Sequence, residues 1–215
     1  MRTAWLLAAF GPALVSVALA ADEAGFVPLF DGKTLDGWVT KEVQGRGYIP
    51  QDGILLCPPD GGGNIFTTKE YANFVLRLEY RMEEDTNNGV GIRSPITDRV
   101  STLGMEIQII DIGPKYKADR LRPEQLHGSV YDLIPARQGF LRKLGEWNEQ
   151  EIRMDGRHIA ITVNGAIVLD TDLGIVREPE VLKKRPGVKN MSGHIGLLGH
   201  GSKIEYRNIR IKELP

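Results

Sequence analysis

The 215-residue sequence predicts an all-β fold in which two antiparallel sheets pack as a jelly-roll sandwich. Alternation of apolar and polar residues dominates after residue 25, whereas no long stretch has the period of a helix. Turn-forming dipeptides recur along the chain, at Asp31-Gly32, Asp36-Gly37, Asp52-Gly53, Asn88-Gly89 and Asp155-Gly156. Many short strands separated by frequent turns are typical of a sandwich or jelly roll.

The first 20 residues predict an export signal. Arg2 supplies a positive charge, residues 5–19 are almost wholly apolar, and the Ala-Leu-Ala sequence at 18–20 fits cleavage before Ala21. The apolar run is shorter than the ~20 residues that a membrane-spanning helix needs. We therefore expect residues 21–215 to form a single β-sandwich domain that is exported to a bacterial periplasm or cell exterior, without a membrane as partner.

Charge and cysteine content limit the possible partners of the protein and the ways in which its fold can be stabilised. Without residues 1–20 the chain carries 26 basic and 28 acidic residues. This near-balance argues against nucleic acid or an anionic membrane as the main partner. Cys57 is the only cysteine, so no intrachain disulfide can form and the exported fold must be stable through its core.

Three later segments predict individual strands. Residues 74–82 alternate strictly between apolar and charged side chains, which indicates a half-buried antiparallel strand. Residues 158–163 and 166–170 are two β-rich runs joined by Asn-Gly, the dipeptide that favours a type I′ hairpin turn. Residues 204–211 predict the last strand, where a shift in apolar spacing at Asn208 indicates a bulge.

Three connections between strands are long, at residues 112–126, 133–146 and 174–192. The last is predicted to contain a short helical turn at residues 179–184. Long ordered loops on a β framework are where sites are usually built.

The most informative segment is residues 104–111, because it places polar side chains inside an apolar strand pattern. Its apolar residues can face a core, and they are Met105, Ile107 and Ile109. Glu106 and Gln108 then line the opposite surface together, and Asp111 follows them. A carboxylate beside an amide on a rigid strand suits sugar chemistry.

Further polar and aromatic candidates stand near glycines or in loop-edge motifs. They are Arg93, His127, Ser129, Tyr131, Trp147, His194 and His200. His200 is favoured over His194 as a functional residue, because glycine on both sides lets a ligand or backbone approach closely.

These positions, with FDGKTLDGW at 30–38, GEWN at 145–148 and YRNIRI at 206–211, resemble the 3-keto-disaccharide hydrolase domain family over residues 26–213. The resemblance implies a concanavalin A-like sandwich, as in lectins and glucanases. It also implies a carbohydrate substrate, a disaccharide or glycoside already oxidised to a ketone at C3. A sugar 3-dehydrogenase would then act upstream.

For that chemistry Glu106 is the candidate base at C2, while His127, Arg93 or His200 could polarise the ketone or protonate the leaving group. The candidate substrate-binding residues are Gln108, Asp111, Tyr131, Trp147 and His200. A divalent cation that chelates adjacent sugar oxygens is compatible with these residue types, but no dense ligand motif demands one.

Three alternatives stay open. The spacing Glu106-x-Gln108-x-x-Asp111 resembles an altered form of the Glu-x-Asp-x-x-Glu signature of laminarinase-type glucanases, which keeps a direct glycoside hydrolase in view. A non-catalytic glycan-binding module is the second, since fold does not decide function. Third, Glu106 could pair with Arg93 as an ordinary strand residue, and His127 could be structural.

Overall fold

The computed structural model describes residues 23–215, without the side chains of residues 42–44. The predicted export signal at residues 1–20 lies outside the described residues. Within residues 23–215, no helix combines the length and the hydropathy needed to cross a bilayer.

Regular structure in this part of the chain is mostly β. The strands are β1 (Val27–Pro28), β2 (Trp38–Gln44), β3 (Ile49–Gln51), β4 (Ile54–Cys57), β5 (Gly62–Tyr71), β6 (Phe74–Met82), β7 (Asn87–Ser94), β8 (Met105–Ile110), β9 (Trp147–Asp155), β10 (His158–Val163), β11 (Ala166–Asp172), β12 (Gly193–Gly199) and β13 (Ile204–Glu213). The short helices are α1 (Val100–Leu103) and α2 (Pro179–Lys184). Single 3-10 turns lie at Ala118–Arg120, Pro123–Gln125, Leu173–Ile175 and Pro186–Lys189.

The strands form two antiparallel sheets. The larger sheet has the order β11-β10-β9-β6-β13-β4-β3, with β1 added along β13. The smaller sheet has the order β2-β5-β12-β7-β8. The predicted antiparallel two-sheet arrangement is confirmed.

The core lies between the inner faces of the two sheets. From the larger sheet, β6 buries Phe74, Leu76 and Leu78. From the smaller sheet, β8 buries Met105, Ile107 and Ile109. Each such side chain contributes about 1.5–3 kcal/mol when fully buried, so packing holds the sheets together while Cys57 remains a buried free thiol.

Most local predictions agree with the structure, but Asn88-Gly89, which was expected at a turn, lies inside β7. Strand β6 has the predicted bounds, and the hairpin β10–β11 turns at Asn164 and Gly165, both with the positive φ that a type I′ turn requires. The bulge in β13 is present, with a register shift between Arg207 and Arg210 and a φ of 52° at Asn208. Helix α2 confirms the predicted helical turn in the last long connection.

Candidate active site

The site candidates of β8 lie on the outer face of the smaller sheet. The inner face of β8 packs into the core, so alternation directs Glu106 and Gln108 outward, as predicted. Both side chains are nevertheless buried. A carboxylate and an amide that are covered on an outer sheet face are not ordinary strand surface, and they mark the candidate site.

Glycines in the neighbouring strand β7 make room for the carboxylate. In the β7–β8 register, Gly89 lies opposite Gln108 and Gly91 lies opposite Glu106. A Cβ atom at Gly89 would stand only 2.5 Å from Glu106 Oε1 and 2.8 Å from its Cγ. The Glu106 side chain therefore lies across the backbone of Gly89, where no other residue would fit.

His200, just after β12, completes a carboxylate–imidazole pair. Its Nε2 is 3.5 Å from Glu106 Oε1, and its side chain is 44% exposed whereas that of Glu106 is 8% exposed. The hydrogen bond to Glu106 raises the pKa of His200, aided by the charge of the carboxylate and opposed by burial. The buried carboxylate thus holds an accessible imidazole and favours its protonated form.

Tyr131 is placed beside Glu106 by extra pairing along the free edge of β8. A bridge joins Ile107 to Val130, and the backbone N–H of Tyr131 donates to Glu106 O at 2.8 Å. Directly opposed residues of an antiparallel pair project to the same face. The phenol of Tyr131 and the carboxylate of Glu106 are therefore side by side.

The Gln108 amide is buried on the same face of β8 as Glu106. Its Nε2 is 3.4 Å from Asn87 Oδ1 and from Gln125 O. Its Oε1 is buried and has no hydrogen-bond partner among the described residues. An unsatisfied buried acceptor costs about 1–3 kcal/mol, but this oxygen is fully enclosed, so a sugar hydroxyl has no access to it in this structure.

Arg93 does not belong to this group, which contradicts its predicted role at the ketone. A bulge in β7 gives Arg93 a φ of 46°, and the guanidinium is completely buried. It makes five hydrogen bonds, as many as it has N–H groups, and the acceptors are Ala72 O (twice), Asn73 Oδ1, Gly156 O and Asn190 O. Arg93 therefore ties three connections together and keeps no donor for a substrate.

His127 is likewise a structural residue, against the prediction that it acts on substrate. Its Nδ1 accepts from the backbone N–H of Ile110 at 3.3 Å, so the ring proton is on Nε2 and is donated to the Tyr80 hydroxyl at 2.7 Å. Burial lowers the pKa of His127 to about 4. A neutral, fully bonded imidazole of this kind cannot protonate a leaving group.

This burial predicts a pH dependence of stability. Because the pKa of His127 is 6.5 when unfolded and about 4 when folded, the unfolded state binds the proton first on acidification. About 3 kcal/mol of unfolding free energy should therefore be present above pH 6.5 and be lost as the pH falls towards 4. Urea unfolding at a series of pH values would measure the loss.

The control for this prediction is the His127→Gln variant, whose stability should vary less between those pH values. An unchanged slope in His127→Gln would show that His127 is not the titrating group.

Two predicted substrate-binding residues lie elsewhere. The Asp111 carboxylate accepts from the backbone N–H of Asp85 at 3.0 Å and so fixes the β6–β7 turn. Trp147 lies on the outer face of the larger sheet, with the guanidinium groups of Arg81 and Arg207 4.8 and 4.0 Å from its ring centroid. The structure therefore puts Trp147 on the opposite side of the sandwich from Glu106.

Sequence reasoning did not single out Arg185, which follows α2 and reaches the Tyr131 ring, 5.9 Å from its centroid. Its Nη1 donates to Ser101 O and Oγ, and its Nη2 pairs with Asp132. The only sequence signal was that Arg185 lies in the long connection 174–192. His194, by contrast, bonds through Nδ1 to Thr67 O at 2.7 Å, which leaves His200 as the histidine of the site.

A metal ion has few ligands to draw on here. Among residues 23–215, no three His, Cys, Asp or Glu side chains are grouped closely enough to hold one. Glu106 and His200 would supply two donors, and sugar oxygens would have to complete the coordination. The divalent cation stays a prediction.

Comparison with known proteins agrees with the architecture. Residues 25–212 match the 3-keto-alpha-glucoside-1,2-lyase-like domain. A 3-keto-disaccharide hydrolase of Bacteroides thetaiotaomicron is 26% identical over an alignment that covers 93% of this chain and 82% of the relative.

Solved structures agree as well. A candidate glycosyl hydrolase of Parabacteroides distasonis superposes with a TM-score of 0.74 at 30% identity, covering 88% of this chain and 99% of that one. The non-specific endo-beta-1,3(4)-glucanase SCLam of family GH16 superposes with a TM-score of 0.50 at 12% identity, covering 87% and 91%. The second likeness concerns the fold alone, and the predicted glucanase-like sandwich is confirmed.

Proposed function

The chain belongs to the 3-keto-alpha-glucoside-1,2-lyase-like domain family, and we propose that it cleaves 3-keto-glycosides or 3-keto-disaccharides. Cleavage proceeds by removal of the proton at C2 and expulsion of the C1 substituent, followed by addition of water where net hydrolysis results. The name of the Bacteroides relative supports this substrate class. The observation that carries the proposal is the pairing of Glu106 with His200 over the bare backbone of Gly89.

A ketone at C3 explains why such a pair suffices. The carbonyl acidifies the C2–H bond and leaves the C1 oxygen in the β position, so elimination can replace direct displacement. The reaction then needs a base at C2 and an acid at the departing oxygen. It does not need the second carboxylate that a retaining glycosidase uses as nucleophile.

Glu106 and His200 fit these two roles. The Glu106 carboxylate takes the C2 proton, and the protonated His200 gives its proton to the leaving oxygen. The raised pKa of His200 favours the form that the acid requires. After product leaves, one proton transfer across the 3.5 Å contact between Oε1 and Nε2 restores both groups.

The two rival functions find less support. Direct glycosidase chemistry lacks its second carboxylate at the expected spacing, since Gln108 is an amide and Asp111 holds the β6–β7 turn. A glycan-binding module would use aromatic platforms. Trp38 is buried in the core, however, and the Trp147 ring is covered by the guanidinium groups of Arg81 and Arg207.

The substrate class is tested with a 3-keto-glucoside and its unoxidised parent. We expect the protein to cleave only the ketone, because the parent has no acidic C2–H bond, and the conjugated enone product should appear as a new ultraviolet absorbance. The rate without protein is subtracted as the spontaneous elimination. Cleavage of the parent would favour the direct glycosidase, and saturable binding with no cleavage of either would favour the binding module.

Location and supply of substrate are part of the same proposal. The charged and apolar pattern of residues 1–20 supports export to a bacterial periplasm or exterior. A 3-keto sugar must come from oxidation of the C3 hydroxyl, so a sugar 3-dehydrogenase should precede this protein.

A further inference from the structure

The pair of Glu106 and His200 leaves one atom of the reaction without a partner. When the C2 proton is removed, negative charge develops on the oxygen at C3. An enzyme stabilises such charge with a donor that is already in place. That donor should lie beside Glu106, because C3 is bonded to the carbon that Glu106 deprotonates.

Tyr131 lies in that position. It is the residue opposite Glu106 across the edge of β8, on the same face. The residue is only half-buried, so Tyr131 is not closed off from a ligand. Arg93 and His127, which the sequence put forward for this task, have no donor to offer.

The bonding of the phenol leaves its proton available. Gln125 Nε2 donates to the Tyr131 oxygen at 3.3 Å, and within residues 23–215 the hydroxyl donates to no other group. The Tyr131 oxygen accepts this bond from Gln125, and its own O–H remains free to donate to a ligand. Burial raises the pKa of Tyr131, with the charges of Asp132 and Glu106 adding to the effect, so the O–H remains intact as a donor.

Arg185 adds a positive charge over the phenol ring of Tyr131. Its guanidinium is 5.9 Å from the ring centroid and is held by Ser101 on α1 and by Asp132. Asp132 is the residue after Tyr131 and also pairs with Arg122. The ion pairs therefore fix the backbone beside Tyr131 and keep the Arg185 cation over the phenol ring.

We propose that the Tyr131 hydroxyl donates a hydrogen bond to the oxygen at C3 of the sugar, the ketone oxygen in the substrate and the enolate oxygen after deprotonation. This role rests on the proposed function. Glu106 takes the C2 proton, and the C–H electron pair forms the C2–C3 double bond as the C3–O bond becomes an enolate. The enolate then re-forms the carbonyl, a C1–C2 double bond forms, the C1–O bond breaks, and His200 protonates the departing oxygen.

The test compares Tyr131→Phe with His200→Gln on two 3-keto-glucosides, one with a sugar leaving group and one with 4-nitrophenol. Loss of one such donor typically lowers kcat by about 10²–10³, and we expect Tyr131→Phe to lose this much on both substrates. His200→Gln should be slow with the sugar but recover with 4-nitrophenol, which leaves without a proton. Tyr116→Phe, also between β8 and β9, is the matched control and should keep wild-type rates.

The kinetic isotope effect of deuterium at C2 is a second measurement, and a merely structural role of Tyr131 would leave it unchanged. The isotope effect should rise in Tyr131→Phe, because proton removal becomes more rate-limiting. In His200→Gln with the sugar leaving group it should fall towards unity. Wild-type rates in Tyr131→Phe, or its recovery with 4-nitrophenol, would overturn the role of Tyr131. Inertness of the wild-type protein towards both ketones would instead remove the proposed function itself.

Discussion

Replacing Glu106 with Gln is expected to lower kcat/KM on a 3-keto-glucoside by about 10²–10⁴, the usual range for loss of a general base. The amide keeps the size of the side chain and its place over Gly89, but it cannot accept the C2 proton. The melting temperature should change little. Steady-state kinetics with thermal unfolding of the same samples would measure both quantities.

The same variant should change the titration of His200. Because the hydrogen bond to Glu106 raises the pKa of His200, Glu106→Gln should lower that pKa, as followed by NMR of the imidazole. Glu70→Gln is the matched control, since Glu70 forms another glutamate–histidine contact on the same sheet, 3.6 Å from His194 Nε2. Wild-type turnover in Glu106→Gln would end its assignment as the base, and a loss of turnover in Glu70→Gln would show that the effect is not specific.

Arg93→Met is expected to destabilise the fold by about 3–4 kcal/mol. The substitution keeps an apolar stem but leaves four acceptors in three connections without their donor, one on the exposed Ala72 and three on the half-buried Asn73, Gly156 and Asn190. Burial and the nearby charge of Arg157 lower the pKa of Arg93, yet its five hydrogen bonds offset the cost of placing a cation there. Urea unfolding would measure the change in free energy.

A surface arginine provides the comparison. Arg157 lies 3.9 Å from Asp172, and its side chain is 38% exposed, so Arg157→Met should cost no more than about 1 kcal/mol. Folded Arg93→Met should retain kcat under stabilising conditions. If it unfolded like the wild-type protein but lost turnover, the catalytic role first predicted for Arg93 would be restored.

Much of the β architecture could be predicted because its signals are local. Strict alternation set the bounds of β6, and Asn164-Gly165 specified the β10–β11 turn through residues that tolerate positive φ. The bulge at Asn208 was visible as a break in apolar spacing. Each of these features depends on neighbours a few residues apart.

The candidate site could be predicted only in part. Alternation placed Glu106 and Gln108 together on the outer face, and flanking glycines drew attention to His200. The sequence also offered Arg93 as a group at the ketone or as an ion-pair partner of Glu106. In the structure a bulge lies in β7 at Arg93, and carbonyl groups from distant connections accept the hydrogen bonds of its guanidinium.

The sequence by itself determined the family, the antiparallel sandwich and the strand that carries Glu106, since these follow from motif order and the two-residue period of a strand. Only the tertiary structure decided which polar side chains meet Glu106. His200 and Tyr131 come from other parts of the chain, and their contacts depend on sheet register and edge pairing. His127 and Trp147 have suitable chemistry for the site. Burial keeps His127 neutral, however, and Trp147 lies on the other sheet.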